Sequence, residues 1–220
     1  MQMISPGCPV VYGCETTTAD MRNGATAIGA PEGAICYNTA GKLADFYGIP
    51  SRAGGCLTDA KKVDAQAGYE SLLTYMACRD ADINFMIHAA GIMDAYASMS
   101  YEKLIVDFEV IDFVERYHRN FDVNEETIPE DLIDEIGHSG VYLTEDHTLE
   151  YCRVEPLTPE ISVRGTASGK TFENNITKKI DKMLDAYVQP ELDHDIIDKM
   201  HDILAARGVD KELVDRLENM

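Results

Sequence analysis

No apolar run in this chain approaches the roughly 20 residues needed to cross a bilayer, so no membrane-spanning helix is expected. The opening MQMISPGCPVVYG lacks a basic segment followed by an apolar one. No signal peptide is expected, and the chain is assigned to the cytoplasm. Basic residues are scarce: 19 Lys and Arg stand against 39 Asp and Glu, for a net charge of -20. A nucleic-acid binder needs a basic footprint, and an anionic membrane surface would repel this chain. A cationic substrate or a partner with a basic patch would be attracted; solubility alone accounts for the same charge.

Other absences narrow the chemistry. The six cysteines, at 8, 14, 36, 56, 78 and 152, form no CxxC. That removes zinc ribbons and thioredoxin-like motifs and leaves buried free thiols as the expectation. No GxGxxG, P-loop or GxSxG motif occurs, so nucleotide and acyl-transfer chemistry lack support. His138 and His147 do not make an HExxH and lack a third ligand, so no metal site is expected.

What is present is a rhythm of short apolar runs and helical stretches. Residues 8–13 read as a buried strand ending in glycine, and 14–29 as a loop. Pro31-Glu32 suits a first helical turn, and the helix is expected to stop at Gly48. Residues 49–53 predict a second strand, 64–79 a second helix, and 83–88 a third strand. Ser100 is a good N-cap for a helix running to about Arg119, with Leu104, Ile105, Phe108, Ile111, Phe113 and Val114 on an apolar stripe. Strand-helix order repeated three times points to a parallel α/β sheet or barrel. Farther on, Thr127 is expected to cap a short helix, residues 140–170 to be irregular, and 173–188 and 193–217 to be helical, with 192–204 strongly amphipathic.

Three or four such units cannot close a (β/α)₈ barrel, which takes about 250 residues. The sequence therefore reads as a fragment, or as a half-barrel dependent on another copy. The expected division is residues 1–125 as partial barrel and 126–220 as remaining barrel elements with a helical extension.

In parallel α/β folds ligands bind at the C-terminal strand ends. That rule selects Tyr12 and Glu15 after the first strand, Arg52, Asp59 and Lys61 after the second, and His88 after the third, with Asp94 just beyond. Imidazole at His88 can titrate or ligate, or it is a satisfied core histidine. Asp59 and Lys61 form either a reactive pair or a helix cap. Arg52 suits a carboxylate or phosphate, or a structural ion pair. Tyr12, Tyr37 and Tyr96 fit a cage for a quaternary ammonium, or plain packing.

A series of ordered segments carries a resemblance. They are Ser5-Pro6-Gly7-Cys8-Pro9-Val10-Val11-Tyr12-Gly13, Gly29-Ala30-Pro31-Glu32, Tyr47-Gly48-Ile49-Pro50-Ser51-Arg52 and Thr58-Asp59-Ala60-Lys61. The most distinctive is Asp64-Ala65-Gln66-Ala67-Gly68-Tyr69-Glu70, followed by the helix opening Ser100-Tyr101-Glu102-Lys103-Leu104 and the turn Glu145-Asp146-His147-Thr148. Over residues 1 to about 150 the chain resembles the trimethylamine methyltransferase family, and the likeness weakens beyond Cys152.

The resemblance implies a (β/α)₈ TIM barrel enzyme moving a methyl group from a methylated amine to the cob(I)amide of a separate corrinoid protein. The amine would be trimethylamine or a quaternary amine such as glycine betaine. This chain would hold barrel strands from about five to eight plus C-terminal helices. It would bind no cofactor of its own, and the full-length protein would form a homo-oligomer. His88, Asp59 and Lys61 are then the expected catalytic residues, and Tyr12, Glu15, Arg52, Tyr96 and Gln66 the expected substrate contacts. Some relatives use pyrrolysine, at a position expected near 54–58. Here that segment holds Cys56 and Leu57, which fits either a relative acting on a quaternary amine or an inactive broken gene. Two other readings stand beside this one: a non-catalytic half-barrel that binds the corrinoid protein, and a lyase or aldolase using Lys61.

Overall fold

A computed structural model describes residues 2–165, 169–191 and 193–218. The chain divides into two units, Met1–Lys182 and Met183–Met220. The first is built on a parallel sheet of β1 (Tyr12–Gly13), β4 (Ser51–Ala53) and β5 (Phe85–Met86), in that order. Tyr12 pairs with Ser51, Gly13 with Arg52, and Arg52 with Phe85. Helix α1 (Pro31–Tyr47) connects β1 to β4, α2 (Ala65–Asp80) connects β4 to β5, and α3 (Tyr101–His118) follows β5. The expected strand-helix succession is therefore present, and the sheet is parallel. The strands are shorter than the apolar runs because each is counted only where a neighbour pairs with it. Single ladder bonds such as Cys14 N–H to the Arg52 carbonyl and Ile87 N–H to the Ala53 carbonyl carry the pairing a little farther.

The helix ends follow their local chemistry. The side chain of Asp64 accepts from Gln66 and Ala67 N–H at the start of α2, and Ser100 accepts from Lys103 N–H at the start of α3. Helix α1 stops at Gly48, as expected. Within the loop expected over 14–29, β2 (Thr18–Ala19) and β3 (Thr26–Ala27) pair as a small antiparallel hairpin. A second hairpin, β6 (Ile92–Met93) with β7 (Ser98–Met99), precedes α3.

Helical periodicity identified the inward faces only in part: Ile105 and Val114 of the expected α3 stripe are buried. Helix α1 buries Gly33, Ala34, Tyr37, Ala40, Gly41 and Ala44, and α2 buries Ala67, Ser71, Thr74, Tyr75 and Cys78. Large apolar residues such as Ile35, Phe46, Leu72 and Leu73 are exposed. On α3 the buried positions include Lys103, Val106, Asp107 and Val114, while Phe108 and Phe113 of the expected stripe stay partly exposed. Small inward residues let the helices lie close to one another and to the sheet. The core between them gathers Tyr37, Ala40, Ala53, Leu57, Cys78 and Ile83.

The deepest polar feature is the ion pair of Lys103 and Asp107, one turn apart on α3 and each 0% exposed. The Lys103 ammonium also donates to the Cys56 carbonyl at 3.3 Å, and Asp107 accepts from Gly91 N–H at 2.8 Å. Burial raises the Asp107 pKa, and the Lys103 ammonium and the Gly91 N–H offset part of that rise. The pair thus ties α3 to the loops that follow β4 and β5.

Beyond α3, Arg116 and Arg119 hold Glu155 through its carbonyl and its carboxylate. Helices α4 (Glu130–Ile136) and α5 (Asp146–Tyr151) are short. Thr127 does not cap α4: its hydroxyl bonds the Asp122 carbonyl and Asn124 N–H, closing its own turn, and Pro129 takes the cap position. Glu109, buried on α3, accepts from the N–H groups of Ile161 and Ser162 and from the Ser162 hydroxyl. That seats Ile161 against Ile105, Val106 and Ile176, the last on α6 (Phe172–Asp185).

In the second unit the single helix expected over 193–217 is two, α7 (His194–Ala206) and α8 (Lys211–Glu218). Gly208 takes φ 78°, a left-handed turn that stops α7. Leu192, part of the expected amphipathic stretch, lies outside the described residues. Of the cysteines, Cys14, Cys56 and Cys78 are buried and Cys152 is exposed, so the expectation of buried thiols holds for part of the set.

Two measurements check this account. Lys103→Met would leave Asp107 in the interior without its counter-charge, at an expected cost of about 3–5 kcal/mol in chemical denaturation. Lys103→Met combined with Asp107→Leu should recover most of that loss. Separately, His118 donates to the Val114 carbonyl and to Asp80, at 2.8 and 2.7 Å, and both bonds raise its pKa above 6.5. A raised histidine contributes stability that is complete below its unfolded pKa and lost as pH climbs through the folded one. Melting temperature should therefore fall as pH rises from 6.5 through that range, and His118→Gln should flatten that segment of the profile.

Candidate active site

Parallel strands place their C-terminal ends on one rim. Glu15 stands two residues past β1, Arg52 lies within β4, and His88 follows β5 by two. Gly13 pairs with Arg52 across the ladder, and its missing side chain leaves the space the guanidinium crosses. A Cβ on Gly13 would sit 2.8 Å from Arg52 Nε. Arg52 Nη1 then donates to Glu15 Oε1 at 2.9 Å, and the Tyr96 hydroxyl donates to Glu15 Oε2 at 2.9 Å. His88 meets the Tyr96 ring edge-on at 5.0 Å. Its Nδ1 is 3.8 Å from Glu15 Oε1, too far for a hydrogen bond, and that buried atom has no partner among the described residues. Burial, then the bond to Glu15, push the Tyr96 phenol above its ordinary range. One carboxylate thus organises an arginine, a tyrosine and a neighbouring imidazole at an open rim.

Tyr96 reaches Glu15 from the connection between β6 and β7. Asp94, Ala95 and Tyr96 have φ of 51°, 51° and 72°, three successive left-handed residues without a glycine. Such a run is unfavourable for side chains with a Cβ and needs its surroundings to hold it. Asp94 N–H donates to the Ala60 carbonyl at 3.1 Å and Ala95 N–H to the Thr58 carbonyl at 3.3 Å.

The other expected site residues have separate settings. Asp59 accepts from Ile28 N–H at 3.0 Å and from Gly29 N–H at 3.1 Å, so both its oxygens serve backbone. Burial raises its pKa, and those two N–H bonds oppose the rise. Glu70 bonds the Thr58 hydroxyl at 2.6 Å, Asp59 N–H at 2.8 Å and Gln66 Nε2 at 2.9 Å. Asp59 and Gln66 therefore belong to one hydrogen-bonded frame. Lys61 pairs with Asp94. Tyr12 points to the helix side, stacking on Tyr47 at 6.4 Å. Cys56 and Leu57, in the segment where pyrrolysine was expected in some relatives, are fully buried. A surface depression of about 750 Å³ lined by Val123, Asn124, Glu125 and Ile128 contains none of these residues.

The family model for trimethylamine methyltransferase (MTTB) matches residues 1–211. The chain belongs to the trimethylamine methyltransferase family. Among curated relatives it is 40% identical over 212 residues to a glycine betaine methyltransferase of Desulfitobacterium hafniense (strain Y51), covering 94% of this chain and 44% of that protein. It is 33% identical over 199 residues to a proline betaine:corrinoid methyltransferase of Eubacterium limosum, covering 87% and 41%. A trimethylamine methyltransferase MttB of Methanosarcina thermophila is 35% identical over 142 residues, covering 64% and 29%. The chain spans less than half the length of each of these relatives.

In this methyltransferase-family chain, sequence reasoning selected Glu15, Arg52, His88 and Tyr96, which the structure brings together. It missed Glu70 and the Lys103–Asp107 pair as organisers of the site's frame. The i, i+4 spacing of lysine and aspartate was the available signal, but that spacing is far more often a solvated helix pair. The turn at 94–96 had no sequence signal, because residues that adopt left-handed backbone are usually glycine or asparagine. Replacing Ala95 by glycine should relieve one of its strained positions. Denaturation is expected to show a gain of about 0.5–1 kcal/mol.

Proposed function

We propose that this chain forms the C-terminal arc of a (β/α)₈ barrel whose rim transfers a methyl group from a betaine to the corrinoid of a partner protein. The observation that carries the barrel is the sheet face turned away from the helices. Val11, Phe85 and Ile87 lie on it, 50%, 62% and 42% exposed, beside Arg52 and Glu15. Apolar side chains on the uncovered face of a parallel sheet call for a second layer, and the remaining strands of a barrel would supply it. The short coverage of the relatives supports the same reading.

A betaine carries a quaternary nitrogen and a carboxylate. Arg52 offers a guanidinium with donors beyond the one committed to Glu15, which suits the carboxylate. Glu15 and the Tyr96 ring supply negative charge and an aromatic face for the cation. His88, with its ring against Tyr96 and beside Glu15, stands at the same rim to orient the bound zwitterion. Because the nitrogen is quaternary it needs no proton. The C–N bond breaks with its electron pair going to nitrogen, and a neutral tertiary amine leaves. The partner's corrinoid supplies the reduced cobalt that accepts the methyl group. This chain's residues hold the donor so that nitrogen, methyl carbon and acceptor fall in line. The 40% identity to a relative named for glycine betaine, against 35% to one named for trimethylamine, supports a betaine donor.

The test is demethylation. Protein supplied with reduced corrinoid and glycine betaine should yield dimethylglycine, followed by NMR. Arg52→Met should lower kcat/KM for glycine betaine about 10- to 100-fold, the loss of one charge-assisted bond, and should lower any activity on trimethylamine, which has no carboxylate, by a smaller factor. Failure to demethylate glycine betaine or proline betaine overturns the proposal, even where trimethylamine is turned over.

A further inference from the structure

We infer that Lys61 is a positioning residue, a latch that closes on Asp94 and so keeps Tyr96 on Glu15. The inference uses the betaine reading of the rim only for one of its two readouts. Three observations carry it. First, Asp94, Ala95 and Tyr96 all hold left-handed backbone, which residues with a Cβ leave unless tethered. Second, beyond the flanking β6–β7 pairing and the Ala97 N–H bond to the Asp94 carbonyl, three tethers come from one short segment: the Thr58 carbonyl, the Ala60 carbonyl and the Lys61 ammonium, which pairs with the Asp94 carboxylate. That segment is a firm platform. Thr58 and Ala60 are buried, and Glu70 grips the Thr58 hydroxyl and Asp59 N–H. Third, the turn's last residue carries the hydroxyl that reaches Glu15 Oε2.

Lys61 is the platform's side-chain contact to the turn; the other two tethers are backbone. Its side chain is 70% exposed, and its ammonium is engaged with Asp94 rather than with Glu15, Arg52 or His88. It therefore acts on the site through Tyr96 and not by touching the donor. An exposed pair of this kind contributes modestly. It matters here because it loads a turn whose backbone is already unfavourable.

The experiment compares Lys61→Ala, Lys61→Arg and Tyr96→Phe in the full chain. Hydrogen exchange at the amides of Asp94 and Ala95, which donate to the platform, should quicken about two- to fivefold in Lys61→Ala, the effect of losing one exposed ion pair, and return to the original rate in Lys61→Arg. Glycine betaine affinity, by calorimetry, should weaken by a similar factor in Lys61→Ala and recover in Lys61→Arg. In a Tyr96→Phe background, Lys61→Ala should add nothing further. Unchanged exchange in Lys61→Ala overturns the latch. So does an affinity loss that persists at full size without the Tyr96 hydroxyl, since Lys61 would then act on the ligand directly. A protein that binds no betaine overturns the functional proposal instead, and the exchange comparison still decides the latch.

Discussion

A lysine and an aspartate with no exposed surface fix the distance between the two loops that carry most of the rim. Lys103 reaches the Cys56 carbonyl behind β4, and Asp107 takes the Gly91 N–H behind β5. Ions in the interior are costly unless paired and hydrogen-bonded, so neither charge can leave its place without the other. The loop behind β4 continues to Thr58, Asp59 and Lys61; the one behind β5 leads from His88 to Tyr96. The β1–β4 register sets Arg52 on Glu15, and the placement of α3 bears on where the loop carrying Tyr96 stands.

The helices contribute by being thin on their inner sides. Apart from Tyr37 and Tyr75, the residues facing inward along α1 and α2 are small, and Ile35, Phe46, Leu72 and Leu73 point outward. With little bulk between them, the helices bring backbone close to backbone. A Cβ on Gly41 would come within 2.4 Å of the Ala81 carbonyl. Close spacing leaves the strand-end loops short of slack. Asp59 spends both oxygens on the backbone at 28–29, and Glu70 spends its own on the Thr58–Asp59 segment and Gln66. Acidic groups that a chemist would first suspect of catalysis are thus occupied in holding loops.

Strand-helix order, the caps at Asp64 and Ser100 and the stop at Gly48 were legible in the sequence, because each depends on neighbours within a few residues. Glu15, Arg52 and His88 were legible through the strand-end rule, which needs only the strand positions. The inward helix faces were legible only in part, through Ile105 and Val114 on α3. Hydrophobic periodicity reports where large apolar groups lie, whereas α2 turns Ser71 and Thr74 inward and Leu72 and Leu73 outward. The role of Asp59 depends on a backbone segment some thirty positions earlier in the chain, beyond any local pattern. Thr127 had the right type for a cap and the right place, yet a competing turn one step upstream claimed its hydroxyl.

Glu109 deserves to be followed outward from α3. A single buried carboxylate takes two N–H groups and a hydroxyl from Ile161 and Ser162, and the isoleucine then closes over Ile105 and Val106. The seam is made by residues more than fifty positions apart, and it seals the back of the helix that carries Lys103 and Asp107. Cleavage between α5 and Pro159 would do more than shorten the chain. It would bare an acceptor-rich acid ringed by isoleucine and valine, a surface prone to clump with its own kind.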